Sequence, residues 1–572
     1  MPGAVTPQGA RGTGARSLTP GADELSAHVL LNCLVRELSG PAGQLRAGPA
    51  DLWITLPHSG ARLHVGLRRR SQAGQHRFRG PVSIGCAGYP PRPVDAAGLV
   101  EAIGTELWLA TGVRNTELPD EVRASRDLLA RLLRAAPPLR PAPLPPPPEG
   151  LGGLAGYLAS EQALVRGHRH HPAPKARISP AGDVLRYAPE TGARFPLRHL
   201  AVRRGLLEQD ALTPADLARL DRLSAGLPVP DGYVALPVHP WQWELTEAEP
   251  DVRKACAAGD LVDLGEHGPA VVATSSVRTV YHPGLGAFLK FGLPVRITNC
   301  VRTLEPMHLA GAVGLSRTLA PVLADLHRHH PATTLLAEPA QRHVTIGGTT
   351  FGVLLREGFG DRLAPGQTAL LAAAVSDEYG DAPSRVAALL GPDVPAQRLL
   401  GWWQRYLELL VPPVLDAFFR HGVVLEAHAQ NVLVVVDEAG WPAGMLLRDL
   451  EGAWLVADGP AELAADLPGE VRRHLRRTPG QGWQRVAYCL FVNHLADLAA
   501  ALADLAPALE PVLWARLRRL LQHYAAAAGR PARLGALLAG APLPAKANLT
   551  LRWLQAEDPF AQYVPWPNPM VR

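Results

Sequence analysis

The chain has 572 residues, too many for one ordinary hydrophobic core, and its 47% hydrophobic and 19% charged content is that of a globular protein with two to four domains. A net charge of +5 is small for this length, and no basic stripe is interleaved with aromatics, so a nucleic-acid partner is not expected and an anionic small ligand is. The cysteines Cys33, Cys86, Cys256, Cys300 and Cys489 are scattered, odd in number and without a CxxC pair, which argues against a disulfide framework and against a zinc or iron–sulfur site.

Residues 1–20 hold Gly, Ala, Pro, Thr and Arg without an apolar core, which reads as a disordered tail and not as a secretory signal. No apolar run approaches the length of a membrane span, so a soluble, cytoplasmic protein with no membrane partner is expected. From Ala22, the apolar residues Leu25, Val29, Leu30, Leu34 and Leu38 recur close to a 3.6 period and predict a helix. Strand-like pieces follow at Leu52–Leu56 and Ala61–Leu67, then a helix at Ala96–Ala110. The run RLLRAAPPLRPAPLPPPPEG marks a stiff linker, because proline favours an extended polyproline path. This divides an N-terminal domain at 21–135 from the rest, with the linker at 136–150.

Beyond the linker, EQALVRGHRHHPAPKAR places His168, His170, His171 and Lys175 beside a proline. Clustered histidines can bind a metal, but the proline breaks and the missing i, i+4 pair speak against zinc, and Lys175 with Arg177 favours an anion. LPVHPWQ, Leu236–Gln242, reads as an extended segment in which His239 is structural. In ATSSVRTVYHPGLGAFLKFGLPVRITNCVR, Ser275–Tyr281 and Ala287–Phe291 read as strands around the turn at 282–286. Such a hairpin puts Ser276 and Arg278 on one face with Lys290 opposite or close to Arg278, and Thr298 and Arg302 follow. Like charges facing each other destabilise a sheet unless an anion lies between them, which suggests a phosphate or carboxylate clamp. The alternative is a solvated face with the charges turned outward.

After Ala310 the chain reads as mostly helical, with strands at His343–Ile346 and Phe351–Leu355 and an amphipathic helix at Trp402–Phe419. That helix leads to the stretch His421–Glu451, HGVVLEAHAQNVLVVVDEAGWPAGMLLRDLE. Short Val- and Leu-rich runs separated by Gly and Pro predict a β-hairpin with Glu426, His428, Gln430 and Asn431 at its mouth. Pairing would bring Asn431 near Asp449, an amide oxygen and a carboxylate suited to a hard cation carrying phosphates. A polar loop that happens to be rich in His and Gln is the plainer reading. Downstream, RVAYCLFVNHLADLAAALADL is an apolar helix with Asn493 and His494 embedded, His494 by default buried and hydrogen-bonded.

Taken together, GHRHHPAPK, LPVHPWQ, SVRT with Lys290, ITNCVR, EAHAQN, RDLEG and KANLTLRWLQ with Tyr563 and Asn568-Pro569 resemble the NRPS-independent siderophore synthetases of the IucA/IucC family. The resemblance covers nearly everything after the linker, and LLNCLVRE extends it towards the N-terminus. It implies an α+β, multi-domain cupped-hand architecture of thumb, fingers and palm, with antiparallel sheets and a helical C-terminal part, commonly as a homodimer. The fingers would span 151–385 and a palm resembling ferric iron reductases 386–572.

It also implies use of ATP and Mg2+ to activate a carboxylate of citrate or a related acid as an acyl adenylate, from which an amine, hydroxylamine or alcohol displaces AMP. By motif, Ser276, Arg278 and Lys290 would hold phosphates, and Arg302 would bridge phosphate and substrate carboxylate. His428 and Gln430 would face the reacting groups, and Glu426, Asn431 and Asp449 would serve metal and nucleotide. His168, His171, Lys175 and Thr298 would contact the acid. The second residue of GHRHHP and the N-terminal region depart from the family pattern. Two other readings are a kinase-like phosphotransferase, for which the base aspartate is missing at Ala427 and Ala429, and a non-catalytic iron-chelate binding protein, for which clustered cysteines are missing.

Overall fold

The computed structural model describes residues 21–86, 90–135, 154–178, 183–378, 384–391, 393–459, 461–465, 467–556 and 562–571; the expected tail at 1–20 and the proline-rich linker at 136–150 lie outside them. The first helix, α1 (Ala22–Glu37), forms where the 3.6 period placed it and buries Leu30, Leu31 and Leu34 completely. It packs beside a five-stranded antiparallel sheet in the order β1 (Leu45–Ala47), β2 (Asp51–Thr55), β3 (Arg62–Arg69), β4 (Arg77–Gly85) and β5 (Arg92–Val94). The strand β4 escapes pattern reading because register shifts against β3 and the left-handed Gly80 (φ 73°) interrupt its alternation. Helix α2 (Ala96–Thr111) starts at Asp95, whose carboxylate accepts the Gly98 N–H, and stops at the left-handed Gly112. Helix α3 (Glu117–Ala135), also unforeseen, completes this layer.

The far end of the chain closes this core. Leu549 and Trp553 are buried among the α1 and sheet side chains, and the Glu37 carboxylate accepts the N–H groups of Leu549 and Thr550 at 2.9 Å each. The segment KANLTLRWLQ is thereby held against the N-terminal layer.

Beyond the linker, α4 (Ala155–Gln162) precedes an eight-stranded antiparallel sheet. It contains β6 (Arg194–Arg203), β7 (Glu208–Ala211), β8 (Tyr233–Val238), β9 (Leu261–Ala273), β10 (Thr279–His282) and β11 (Ala287–Phe291). The short pair β12 (Leu293–Ile297) and β13 (Cys300–Arg302) stands apart, and β14 (Thr333–Leu335) belongs elsewhere. With β15 (Ala340–Ile346) and β16 (Thr349–Arg356) added, the strand order is β7-β15-β16-β11-β10-β9-β6-β8. LPVHPWQ is extended only as far as Val238: Pro240 opens a helix, Pro240–Thr246, and the buried His239 caps it by accepting the Trp241 N–H at 3.2 Å.

The expected hairpin forms. After β17 (Thr368–Leu371) and β18 (Val423–Val424), β19 (Val432–Val436) pairs antiparallel with β20 (Pro442–Leu447) in the register Val432↔Leu447. Its sheet, β14-β20-β19-β17, draws two strands from upstream of the helix Ala396–Phe419, one on each edge of the hairpin. The long helices Pro306–His329, Ala396–Phe419 and Pro479–Leu505 pack around it. Two of them, Pro306–His329 and Pro479–Leu505, are long and apolar enough to cross a membrane, which corrects the expectation that no run has that length. Their apolar windows are 56% and 89% buried, as in core helices. The α+β class with antiparallel sheets and a helical C-terminal part is thus the one observed.

Burial lowers the pKa of four fully enclosed histidines: His170 falls well below 6.5, His171 and His239 to about 3, and His494 to about 4. The unfolded chain titrates them near 6.5, so below that pH it binds more protons than the fold does, and stability present above pH 6.5 is lost as pH falls. Between pH 7.5 and 5.5 each such histidine removes about 1.4 kcal/mol, and the four together remove on the order of 5 kcal/mol. Urea midpoints measured across that range should fall steadily; a flat profile would mean these imidazoles are protonated in the fold.

Candidate functional site

Every side chain to which the family motifs assign a role at the site lines one cavity of about 340 Å³ between the eight-stranded sheet, the hairpin mouth and the His168–Lys175 loop. Two buried chains of charge build it. The first starts at Glu161 on α4, whose Oε1 accepts from Arg448 Nη1 at 2.6 Å and from the Tyr157 hydroxyl at 2.7 Å, while Oε2 accepts the Ser275 N–H at 3.0 Å. Arg448 also donates to the Gln430 carbonyl. One carboxylate thus ties the serine turn to the hairpin mouth. Burial alone would raise the Glu161 carboxyl, but Arg448 beside it holds it below the usual range.

The second chain runs Glu338, Arg356, Asp449, Lys290, Glu451. Arg356 Nη2 donates at 2.6 Å to both Glu338 and Asp449, Lys290 Nζ lies 2.5 Å from Asp449 Oδ1, and Lys290 also pairs with Glu451. Arg278 reaches Glu451 at 3.8 Å. Burial would raise both acids, but Lys290 with Arg356 holds Asp449 well below the carboxylate range, and Lys290 with Arg278 brings Glu451 to about 2.

These contacts refine the expected clamp. The strand begins at Thr279, not Ser275, and Ser276–Arg278 form a turn in which Val277 is left-handed (φ 67°). Thr279 pairs with Lys290, and Arg278 lies one residue along, opposite Phe291. The anion between Arg278 and Lys290 is the chain's own Glu451, a residue of RDLEG that motif reading left without a role.

Among the described residues, three of the five non-glycine residues with positive φ belong to this site: Val277, Thr298 (φ 57°) and Asp449 (φ 78°). Left-handed backbone at a β-branched residue is strained and persists only where its surroundings over-determine it, as at functional sites. Thr298 Oγ accepts from Arg302 Nη2 at 3.0 Å, and the same nitrogen donates to the Ile297 carbonyl at 3.0 Å, so Arg302 is oriented by its own loop.

The opposite wall is lined by neutral imidazoles. His428 is brought to about 4 by burial, and its loop is held from behind by His494, which contacts the Ala427 carbonyl at 3.0 Å and the Tyr406 hydroxyl at 2.6 Å. His494 is therefore the buried, bonded residue expected of it. Asn493 lies in a π-helical segment, Tyr488–Leu495, and its amide contacts His168 Nε2 at 3.0 Å. His171 Nε2 meets Asn299 Oδ1 at 3.0 Å, and Asn299 in turn donates to Asn548 of the C-terminal segment. Lys175 lines the cavity, but its ammonium lies 2.5 Å from Glu190, which Arg177 also holds, so the expected anion at this pair is internal to the protein.

Among the described residues no three His, Cys, Asp or Glu converge as a self-sufficient metal site. Magnesium carried on phosphates needs only one or two carboxylates, and Asp449 and Glu451 are the carboxylates here that could hold it. The buried Asn431 side-chain nitrogen has no hydrogen-bond partner among the described residues, a donor that suits a phosphate oxygen. Glu426 is turned towards Arg485 at 3.0 Å.

The cavity-lining sequence matches known proteins. Residues 156–377 match the model of the IucA/IucC family, and 401–559 match that of ferric iron reductase FhuF-like transporters. The chain is 30% identical over 565 residues, 93% of its own length and 94% of the relative's, to the rhizobactin siderophore biosynthesis protein RhbC of Rhizobium meliloti. It is 30% identical over 386 residues, 63% of this chain and 64% of the relative, to the L-2,3-diaminopropanoate–citrate ligase of Staphylococcus aureus. The ATP-bound aerobactin synthetase IucA of Klebsiella pneumoniae superposes with a TM-score of 0.81 at 25% identity, covering 96% of this chain and 99% of that one. A full-length relative, the family match and the shared fold together establish that the chain belongs to the IucA/IucC family of siderophore synthetases.

Proposed function

We propose that the chain is an ATP-dependent carboxylate–amine ligase that activates a carboxylate of citrate or a related acid by adenylation and condenses it with an amine or hydroxylamine, releasing AMP and pyrophosphate. The observation that carries this reading is the convergence of Arg278, Lys290, Arg302 and Arg356 with Asp449 on the cavity that His168, His171 and His428 complete. Adenylation presses a carboxylate against a polyphosphate, and the transition state places further negative charge on the α-phosphate oxygens. Fixed cations in a water-poor cleft offset that repulsion without reorganising, and no protein nucleophile is required. The name of a citrate-ligating relative and the ATP bound to a structural neighbour support the choice of acid and of nucleotide.

In this reading Ser276, Arg278 and Lys290 bind phosphates, Arg302 spans phosphate and acid, and His428 and Gln430 stand at the reacting centre. Asp449, Glu451 and Asn431, with Glu426 behind them, would hold Mg2+, which supplies charge neutralisation on the phosphates. The imidazoles of His168 and His171, neutral through burial, serve as hydrogen-bonding groups for the acid. Thr298 and Lys175 shape that end of the cavity. A homodimer and a cytoplasmic location, which the family resemblance implies, belong to the same proposal.

With ATP, magnesium and hydroxylamine as surrogate acceptor, an acid of the right class should release pyrophosphate and AMP. ADP formation instead would favour the phosphotransferase. Arg302→Ala and His428→Ala should each lower that release about 100-fold or more while leaving the circular dichroism spectrum unchanged. Near-normal turnover in either variant would show that its side chain lies outside the reacting centre.

A further inference from the structure

A second cavity of about 570 Å³ lies between α1, the β3–β4 hairpin, α3 and the 166–174 loop, and none of the roles above uses it. It shares Gly167, Arg169, Pro174 and Asp377 with the first cavity, so these residues form a common wall. Its charge is mixed and organised. The Glu378 carboxylate faces four guanidiniums, pairing with Arg68 and lying 3.1 Å from Arg77, 3.5 Å from Arg166 and 4.0 Å from Arg169. Exposed Arg79 adds a further cation at the rim.

Asp377, on the common wall, is the opposite case. It is 9% exposed, its Oδ2 accepts no hydrogen bond from the described residues, and its Oδ1 comes no nearer than 4.0 Å to Arg169. Burial raises this carboxyl to about 6, the signature of a carboxylate short of donors. A buried acceptor without a partner is costly unless a ligand supplies the missing donor, and an ammonium is the strongest such donor.

We propose that the second cavity receives the amine acceptor, with Asp377 holding its ammonium at the wall shared with the reacting centre and taking one proton from it, so that the free amine attacks the acyl adenylate as AMP leaves, and with the arginines holding an anionic or acceptor-rich distal group. A carboxylate or hydroxamate tail meets the surplus of guanidinium donors, whereas a second ammonium is repelled by them. The inference rests on the ligase reading and adds to it the class of nucleophile.

The test uses the full chain in two assays: ATP–pyrophosphate exchange with the activated acid and no amine, and condensation with 5-aminopentanoate, its hydroxamate or 1,5-diaminopentane. The two tailed amines should show a KM about ten-fold or more below that of the diamine. Asp377→Asn should raise the KM of all three about ten-fold or more. Arg79→Ala, which lines the second cavity and not the first, should raise the KM of the tailed amines alone. Exchange that proceeds while the diamine is preferred, or while both variants leave every KM unchanged, overturns the amine site and leaves the ligase standing. If Asp377→Asn does not fold, the wild-type ranking and Arg79→Ala decide. No exchange with any acid overturns the ligase reading, and the amine site with it.

Discussion

The buried pair of Glu161 and Arg448 is the constraint on which the rest of the site depends. Both residues are nearly solvent-free, and through Glu161 Oε2 and the Gln430 carbonyl they join α4, the serine turn and the hairpin mouth, elements about 290 residues apart in sequence. Such a pair adds little stability over an apolar substitute, yet removal of one partner costs about 3–5 kcal/mol because a charge is left unpaired in a dry interior. Its value is therefore geometric. Next to Arg448, Asp449 takes a left-handed conformation and meets Lys290 and Arg356.

That geometry places cations and carboxylates in alternation along one wall: Glu338, Arg356, Asp449, Lys290, Glu451, Arg278. Without such partners, so many buried positive groups would repel each other. Asp449 and Glu451 pair with Lys290 and Arg278 here, and under the proposed function these are the carboxylates that an incoming phosphate and its metal ion would meet. The wall is thus preorganised for charge development and does not depend on solvent to assemble it. The opposite wall is kept neutral by burial, with His494 and Asn493 fixing the rings and loop of His428 and His168 from a helix whose π turn offsets two side chains.

The hairpin, α1, α2 and four of the eight strands of the large sheet, β10, β11, β15 and β16, were legible because their apolar runs are bounded by Gly, Pro or a capping Asp, whereas β6, β7 and β9 were not. The strand β4 was not, since Gly80 and the register shifts erase its alternation. Arg278, Lys290, Arg302 and Asp449 were found by residue type and spacing, but Arg356 and the carboxylates Glu161, Glu338 and Glu451 were not. Glu161 and Glu451 look in sequence like any solvated acid, and only the fold shows them buried against arginine and lysine. The same limit explains Lys175, whose charge invited an anionic substrate although Glu190, only fifteen residues on, already meets it. Asn493 did leave a signal, a polar residue within an apolar helix, but its contact with His168 spans the whole chain between them.

The exchange of partners at Lys290 is open to direct measurement by titration calorimetry of ATP binding with magnesium and with excess chelator. If Asp449 and Glu451 guard the phosphate site, ATP alone meets two carboxylates, and binding should weaken at least about ten-fold without the metal. Asp449→Asn should then narrow the difference between the two conditions. Equal affinity with and without magnesium in the native protein would contradict this assignment and place the phosphates elsewhere.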